Sequence, residues 1–114
     1  MDLNTISASQ LSSWMGRDDR PLLIDVLPQV SFQKQHLPLA EHASFYETDF
    51  LEGIASLVDS TDDSIVLYCL TAGCDAAARA ASTLADAGYS QVFVLAGGLR
   101  AWEEEGGAVA RERG

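Results

Sequence analysis

Two cysteines five positions apart are the residues of this sequence best suited to covalent chemistry. Cys69 closes a run of four apolar residues at 65–68, and Cys74 lies at the sixth position counted from Cys69. The alanine-rich stretch that follows Asp75 is typical of a helix. The pattern therefore predicts a buried strand, a tight loop and a helix start, with the Cys69 thiol at the carboxyl end of the strand.

This position favours a reactive cysteine over an inert, buried one. Sites in open parallel sheets form in the crevice beyond the carboxyl ends of the strands. A loop that runs directly into a helix points several backbone N–H groups inward, and these groups stabilise an anion or a thiolate. We predict that Cys69 is a nucleophile. The predicted active-site loop that follows it consists of Leu70, Thr71, Ala72, Gly73, Cys74 and Asp75.

Length and composition narrow the classes of function. A chain of 114 residues that is 47% hydrophobic is expected to form one domain over residues 1–114. Its formal net charge of −10 argues against binding to nucleic acid or to anionic membrane surfaces. No apolar run approaches the ~20 residues that span a bilayer. The first residues lack a secretory pattern, so a cytoplasmic location is expected.

The number of cysteines bears on whether they are structural or functional. Two cysteines in a cytosolic protein are more often functional than a structural disulfide. Four thiolate or imidazole ligands cannot be assembled from neighbouring residues, which argues against a structural zinc site. We expect neither a metal nor a cofactor.

The order of apolar runs and helical patterns predicts an α/β fold. Near-continuous apolar runs at 22–26, 65–69 and 92–95 indicate strands covered on both faces, and 5–6 and 43–45 are weaker strand candidates. Helical patterns cover 8–15, 48–58 and 75–87, and a last helix follows Gly97-Gly98. Strands that alternate with helices predict an open, mainly parallel five-stranded sheet with helices on both faces.

Four segments in this order resemble the single-domain rhodaneses, a family of sulfurtransferases. They are Leu22-Leu23-Ile24-Asp25-Val26, Phe32 followed by Gln35-His36-Leu37-Pro38-Leu39-Ala40, Val66-Leu67-Tyr68-Cys69, and the stretch from Ala87-Gly88-Tyr89 through Gly97-Gly98-Leu99 to Trp102. The resemblance implies a rhodanese-like fold and a catalytic cysteine at Cys69. It also implies a reaction in which the Cys69 thiolate takes a sulfane sulfur as a persulfide and passes it to a thiol acceptor.

Supporting roles around the site follow from the resemblance for His36, and from their positions in the chain for Asp25 and Asp75. His36 is expected to make structural hydrogen bonds, and Asp25 is expected to accept backbone N–H bonds at the end of its strand. Asp75 is expected to cap the helix that it precedes. Cys74 has two interpretations that the sequence leaves open. It is either a resolving thiol that reaches the Cys69 sulfur, or a small apolar residue in the place of an arginine.

Departures from the family pattern bear on the substrate. The resemblance would place a glycine at Leu39 and an arginine at Leu27, and many rhodanese loops end in arginine where this chain has Cys74. Thiosulfate is a dianion, and an acidic protein without Lys or Arg in its loop should capture it poorly. A persulfide or polysulfide donor, free or carried by another protein, is therefore favoured over thiosulfate.

Three classes of function remain open from the sequence. The first is a sulfurtransferase or persulfide carrier that uses Cys69. The second is a dithiol redox protein that cycles a Cys69–Cys74 disulfide, and the third is a non-catalytic module that binds partners. The sequence argues against a cysteine phosphatase, since that chemistry needs an arginine where this chain has Asp75.

Overall fold

A computed structural model of the chain describes residues 4–71 and 73–110. Ala72 of the predicted active-site loop and both ends of the predicted 1–114 domain lie outside the described residues. In the described part of the chain, no helix has the length and apolar character needed to cross a membrane.

Five strands form one sheet, and every strand pair in it is parallel. The strands are β1 (Asn4–Ile6), β2 (Leu22–Asp25), β3 (Glu41–His42), β4 (Ile65–Tyr68) and β5 (Val92–Leu95), in the spatial order β1-β5-β4-β2-β3. The predicted parallel five-stranded sheet is confirmed. Because β4 is the middle strand, the residue that follows it lies at the centre of the carboxyl edge of the sheet.

Helices cover both faces of the sheet, as predicted. They are α1 (Ala8–Met15), α2 (Gln29–Lys34), α3 (Phe50–Leu57), α4 (Ala76–Asp86) and α5 (Gly98–Glu104). One core cluster joins α3 and α4 to one face, where Ile65 and Leu67 of β4 point. The other joins α1 and α5 to Val66 and Tyr68 on the opposite face. This alternation along β4 follows from the two-residue period of a strand.

Between β2 and α3 the prediction misplaced one strand and missed one helix. The third strand is Glu41–His42 rather than 43–45, although the N–H groups of Ala43 and Phe45 still bond to the carbonyls of Asp25 and Val26. Helix α2 was missed because its six residues are too few for a recognisable helical period and no side chain caps it. The Pro28 at its start was the available signal, since proline favours the beginning of a helix.

Leu39 stands where the family resemblance implied a glycine, and its backbone shows why. Its φ of 70° lies in the left-handed region, which costs an L-residue about 1–2 kcal/mol. Its side chain is 64% exposed, so truncation removes little packing. We expect Leu39→Gly to raise the free energy of unfolding by up to about 1 kcal/mol, after the entropy that glycine adds to the unfolded chain.

Urea denaturation of Leu39→Gly and Leu39→Ala measures this effect. The alanine variant keeps the strained φ and removes most of the side chain, so it should show no gain. A glycine variant no more stable than the alanine variant would contradict the strain argument.

Candidate active site

Cys69 lies where the sequence predicted it, at the carboxyl end of the central strand β4. It is buried, with 3% of its surface exposed, and its side chain belongs to the core cluster shared with α3 and α4. Helix α4 begins seven residues further on, at Ala76. The backbone N–H groups of Ala76 and Ala77 lie close enough to the Cys69 sulfur to lower its pKa. The helix start thus presents donors to this sulfur, as the loop pattern indicated.

Burial outweighs these donors in the reduced protein. Removal of the thiol from water raises the pKa of Cys69 well above its usual range, and the neighbouring Cys74 raises it further. The N–H groups of Ala77 and Ala76 act in the opposite direction. Formation of the Cys69 thiolate therefore carries a cost of burial that the loop pattern in the sequence does not show.

The loop after Cys69 folds back so that Cys74 returns to the sulfur. The Cys74 N–H donates to the carbonyl of Thr71 at 3.2 Å, which closes a turn. The Cys69 thiol in turn donates to the Cys74 carbonyl at 3.3 Å. Both cysteines are free thiols, with Cys69 buried and Cys74 half-buried. The structure therefore brings the two predicted thiols into one local cluster.

A small cavity of about 180 Å³ opens beside the two thiols. It is lined by Cys69, Thr71, Cys74, Ala77, Ala78, Val94, Leu95, Ala96, Gly97 and Gly98. No charged side chain belongs to this lining. Two larger depressions, of about 520 and 310 Å³, lie near Pro21 and near His42, and neither includes a cysteine. Of these three cavities in the described part of the chain, the one beside Cys69 is lined by cysteines.

Helix α5 holds the other side of the loop. The N–H of Leu99 donates to the Cys69 carbonyl at 2.9 Å, and the N–H of Arg100 donates to the Leu70 carbonyl at 3.0 Å. Gly98, with φ of 62°, makes this approach possible because any Cβ there would overlap the Cys69 carbonyl oxygen. The sequence placed Gly97-Gly98 before the last helix but did not show the contact of Gly98 with Cys69.

Asp25 is buried at the end of β2 in a small polar network, where it accepts a backbone N–H bond. One of its carboxylate oxygens accepts the Leu27 N–H at 2.8 Å, and the Tyr68 hydroxyl accepts the Leu37 N–H at 3.0 Å. Burial raises the pKa of Asp25, while the Leu27 N–H, the Tyr68 hydroxyl and the charge of His42 act to lower it. This network joins the ends of β2 and β4 to the segment that contains Leu37.

His36 also has the structural bonds that the sequence suggested. Its Nδ1 donates to the Phe32 carbonyl at 2.8 Å, and its ring stacks on the Phe32 ring with centroids 3.9 Å apart. Its backbone pairs with Ala110 in an isolated bridge. Neither Asp25 nor His36 belongs to the lining of the cavity beside Cys69.

The expected cap at Asp75 was wrong in part. Asp75 occupies the N-cap position of α4, but its side chain makes no capping hydrogen bond. Its φ of −99° and ψ of 1° differ from the extended backbone that lets a cap side chain fold back onto the helix. Helix α1, by contrast, has a side-chain cap, because Ser7 and Gln10 form a capping box.

Comparisons with known proteins agree with this fold. The Rhodanese-like domain family matches residues 7–105. Among solved structures, the Alr3790 protein from Anabaena sp. is 25% identical with a TM-score of 0.83, over 94% of this chain and 92% of that one. The BH2092 protein from Bacillus halodurans is 24% identical with a TM-score of 0.81, over 95% and 77%. The chain therefore belongs to the rhodanese-like family.

One structural neighbour carries an enzyme name. Thiosulfate sulfurtransferase from Pseudomonas aeruginosa is 28% identical with a TM-score of 0.81 over 96% of this chain. The match covers 20% of that protein, so this chain corresponds to about a fifth of its length. No curated protein sequence matches the chain.

Proposed function

We propose that this protein is a sulfurtransferase that carries sulfane sulfur as a persulfide on Cys69. One observation carries the proposal: a cysteine at the carboxyl end of the central strand faces the N-terminus of α4 and opens onto a small cavity. The family membership of the chain supports the same chemistry. The cavity has room for one additional sulfur atom on Cys69 and for the end of a donor molecule.

The transfer has two balanced steps. The Cys69 thiol first loses its proton, and the thiolate attacks the sulfane sulfur of a donor. A new S–S bond forms, the bond between that sulfur and the donor breaks, and its electron pair leaves with the donor as a thiolate. A thiol acceptor then attacks the outer sulfur, and Cys69 leaves as the thiolate. The N–H groups of Ala76 and Ala77 stabilise the negative charge on Cys69 in both steps.

The neutral lining of the cavity favours particular donors. A cysteine persulfide or a polysulfide brings its reactive sulfur into the cavity without placing a dianion there. Its end can also belong to another protein, since the loop residues Leu70 and Thr71 are exposed. We therefore propose persulfides and polysulfides, free or protein-borne, as donors, and a small or protein-borne thiol as acceptor.

Intact-mass analysis after incubation with thiosulfate, polysulfide or a cysteine-persulfide donor tests the proposal. The wild-type chain should gain about 32 Da per sulfur atom, and Cys69→Ser should gain nothing. Cys74→Ser is the matched control and should load normally. The loading rate should rise with pH across the neutral range, because the raised pKa of Cys69 leaves few thiolates at pH 7.

The same measurement separates the remaining classes of function. A module that only binds partners would show no mass gain with any donor. A dithiol protein without sulfur transfer would lose about 2 Da on oxidation and never gain sulfur. Loading that survives in Cys69→Ser and disappears in Cys74→Ser would reverse the assigned roles and contradict the proposal.

A further inference from the structure

We propose that Cys74 resolves the persulfide on Cys69, so that the protein releases the transferred sulfur as sulfide and forms a Cys69–Cys74 disulfide. This inference rests on the proposed function, because it needs a persulfide on Cys69. It adds a fate for the sulfur and a chemical role for the second thiol. The activity is that of a persulfide reductase, with a dithiol as the required reductant.

The placement of Cys74 is the first argument. The turn from Thr71 to Cys74 brings the Cys74 backbone to within 3.3 Å of the Cys69 sulfur, measured to the Cys74 carbonyl oxygen. Both residues line the same cavity of about 180 Å³, which is the space that the outer sulfur of a persulfide would enter. Because Cys74 lies in the same loop as Cys69, its thiol has a high effective concentration at the persulfide. A separate thiol acceptor reacts faster only if its own concentration exceeds that value.

The electrostatics of the cavity are the second argument. None of the residues that line it carries a charge, so no cation in this lining stabilises a persulfide anion on Cys69. Cys74 occupies the loop position where the family pattern often has an arginine. Because the side chain at that position is a nucleophile instead of a cation, the loop is better equipped to consume a persulfide than to store it.

The reaction balances in atoms and electrons. The Cys74 thiol loses its proton, and its sulfur attacks the Cys69 Sγ of the persulfide. A bond forms between the sulfur of Cys74 and the Sγ of Cys69. The bond from Cys69 Sγ to the outer sulfur breaks, and its electron pair leaves with the outer sulfur as hydrosulfide. Cys74 is oxidised and the outer sulfur is reduced. An external dithiol then reduces the Cys69–Cys74 disulfide and restores both thiols.

A single-turnover experiment tests this inference. The reduced 114-residue chain is loaded with glutathione persulfide and desalted at once. It is then followed by intact mass and by trapping of sulfide with a bimane reagent. Wild-type protein should pass from a gain of about 32 Da to a loss of about 2 Da, with one sulfide released per disulfide formed. Addition of dithiothreitol should restore the original mass.

Variants at position 74 make the test specific. Cys74→Ser and Cys74→Ala should load fully and keep the added mass at least about tenfold longer than wild type, because they lack the intramolecular thiol. Cys69→Ser should neither load nor release sulfide. Non-reducing electrophoresis at low protein concentration distinguishes the internal disulfide from dimers linked through Cys69.

The outcomes separate this inference from the proposed function. A wild-type persulfide that is as long-lived as that of Cys74→Ser, with no sulfide and no loss of mass, would overturn the resolving role and leave the sulfurtransferase proposal intact. Absence of loading in wild type and in both Cys74 variants would instead overturn the proposed function, and the inference with it.

Discussion

The Cys74→Arg variant should use thiosulfate about one to three powers of ten more efficiently than the wild-type protein, as kcat/KM. A cation several ångströms from a dianion near a protein surface contributes a few kcal/mol, and a tenfold effect corresponds to about 1.4 kcal/mol. The wild-type chain has no charged side chain in the lining of the cavity beside Cys69. Its net charge of −10 adds a repulsion that salt screens.

The basic residues nearest in sequence to the loop are directed elsewhere or lie at its rim. The Arg79 guanidinium is 5.6 Å from the centroid of the Phe45 ring, where it makes a cation–π contact. Arg100 is held beside the loop by its backbone bond to Leu70, and its side chain is exposed. Arg100 is therefore the residue to test if the wild-type protein proves to bind thiosulfate well.

Steady-state rates with thiosulfate and with a cysteine persulfide, at low and moderate ionic strength, measure the effect. Cys74→Gln is the matched control, because it removes the same thiol and adds a polar side chain without charge. It should stay as poor with thiosulfate as the wild type. Efficient wild-type turnover of thiosulfate that is insensitive to salt would contradict the charge argument, and its loss in Arg100→Gln would show which cation had been overlooked.

The Gly98→Ala variant should lose at least about 3 kcal/mol of stability and load Cys69 poorly. Two costs add at this position. The φ of 62° disfavours any L-residue, and the new Cβ would overlap the Cys69 carbonyl oxygen. Relief of that overlap has to move α5 away from the loop, which breaks the bond from the Leu99 N–H to the Cys69 carbonyl.

Gly88→Ala provides a control in which only one of these costs is present. Gly88 follows α4 with φ of 102°, and nothing lies within 4 Å of its ideal Cβ position. It should lose about 1 kcal/mol and load Cys69 at the wild-type rate. Urea denaturation and the loading assay measure both variants. Equal losses in the two would show that the contact of Gly98 with the active-site loop has no energetic consequence.

The two predicted effects, at Cys74 and at Gly98, differ in how far the sequence alone reveals their cause. The absence of a basic residue in the loop is visible in the sequence, because the segment after Cys69 is short and continuous. The contact of Gly98 with Cys69 is not visible, because 29 positions separate the two residues and only the pairing of β4 with β5 brings them together. The Gly97-Gly98 pair marked the start of the last helix but did not indicate which segment it contacts.

The sequence by itself determined the local elements and their order. Apolar runs of strand length, helical periods and the glycine after α4 act over a few neighbouring residues, and they predicted the five parallel strands and four of the five helices. The same local pattern predicted that Cys69 ends the central strand and that α4 starts just beyond the loop. Helix α2 was not predicted and strand β3 was misplaced, because such short elements are stabilised by neighbouring segments rather than by a periodic pattern of their own.

The pKa of Cys69 and the residues that surround Cys74 are set by the tertiary structure and not by the local sequence. Burial depends on α3, α4 and the sheet packing together around the thiol, and this packing raises the pKa of Cys69 above what the helix start alone would give. The return of Cys74 to the sulfur depends on the turn after Thr71. Desolvation and close approach arise from contacts between distant segments, and no local sequence pattern encodes their magnitude.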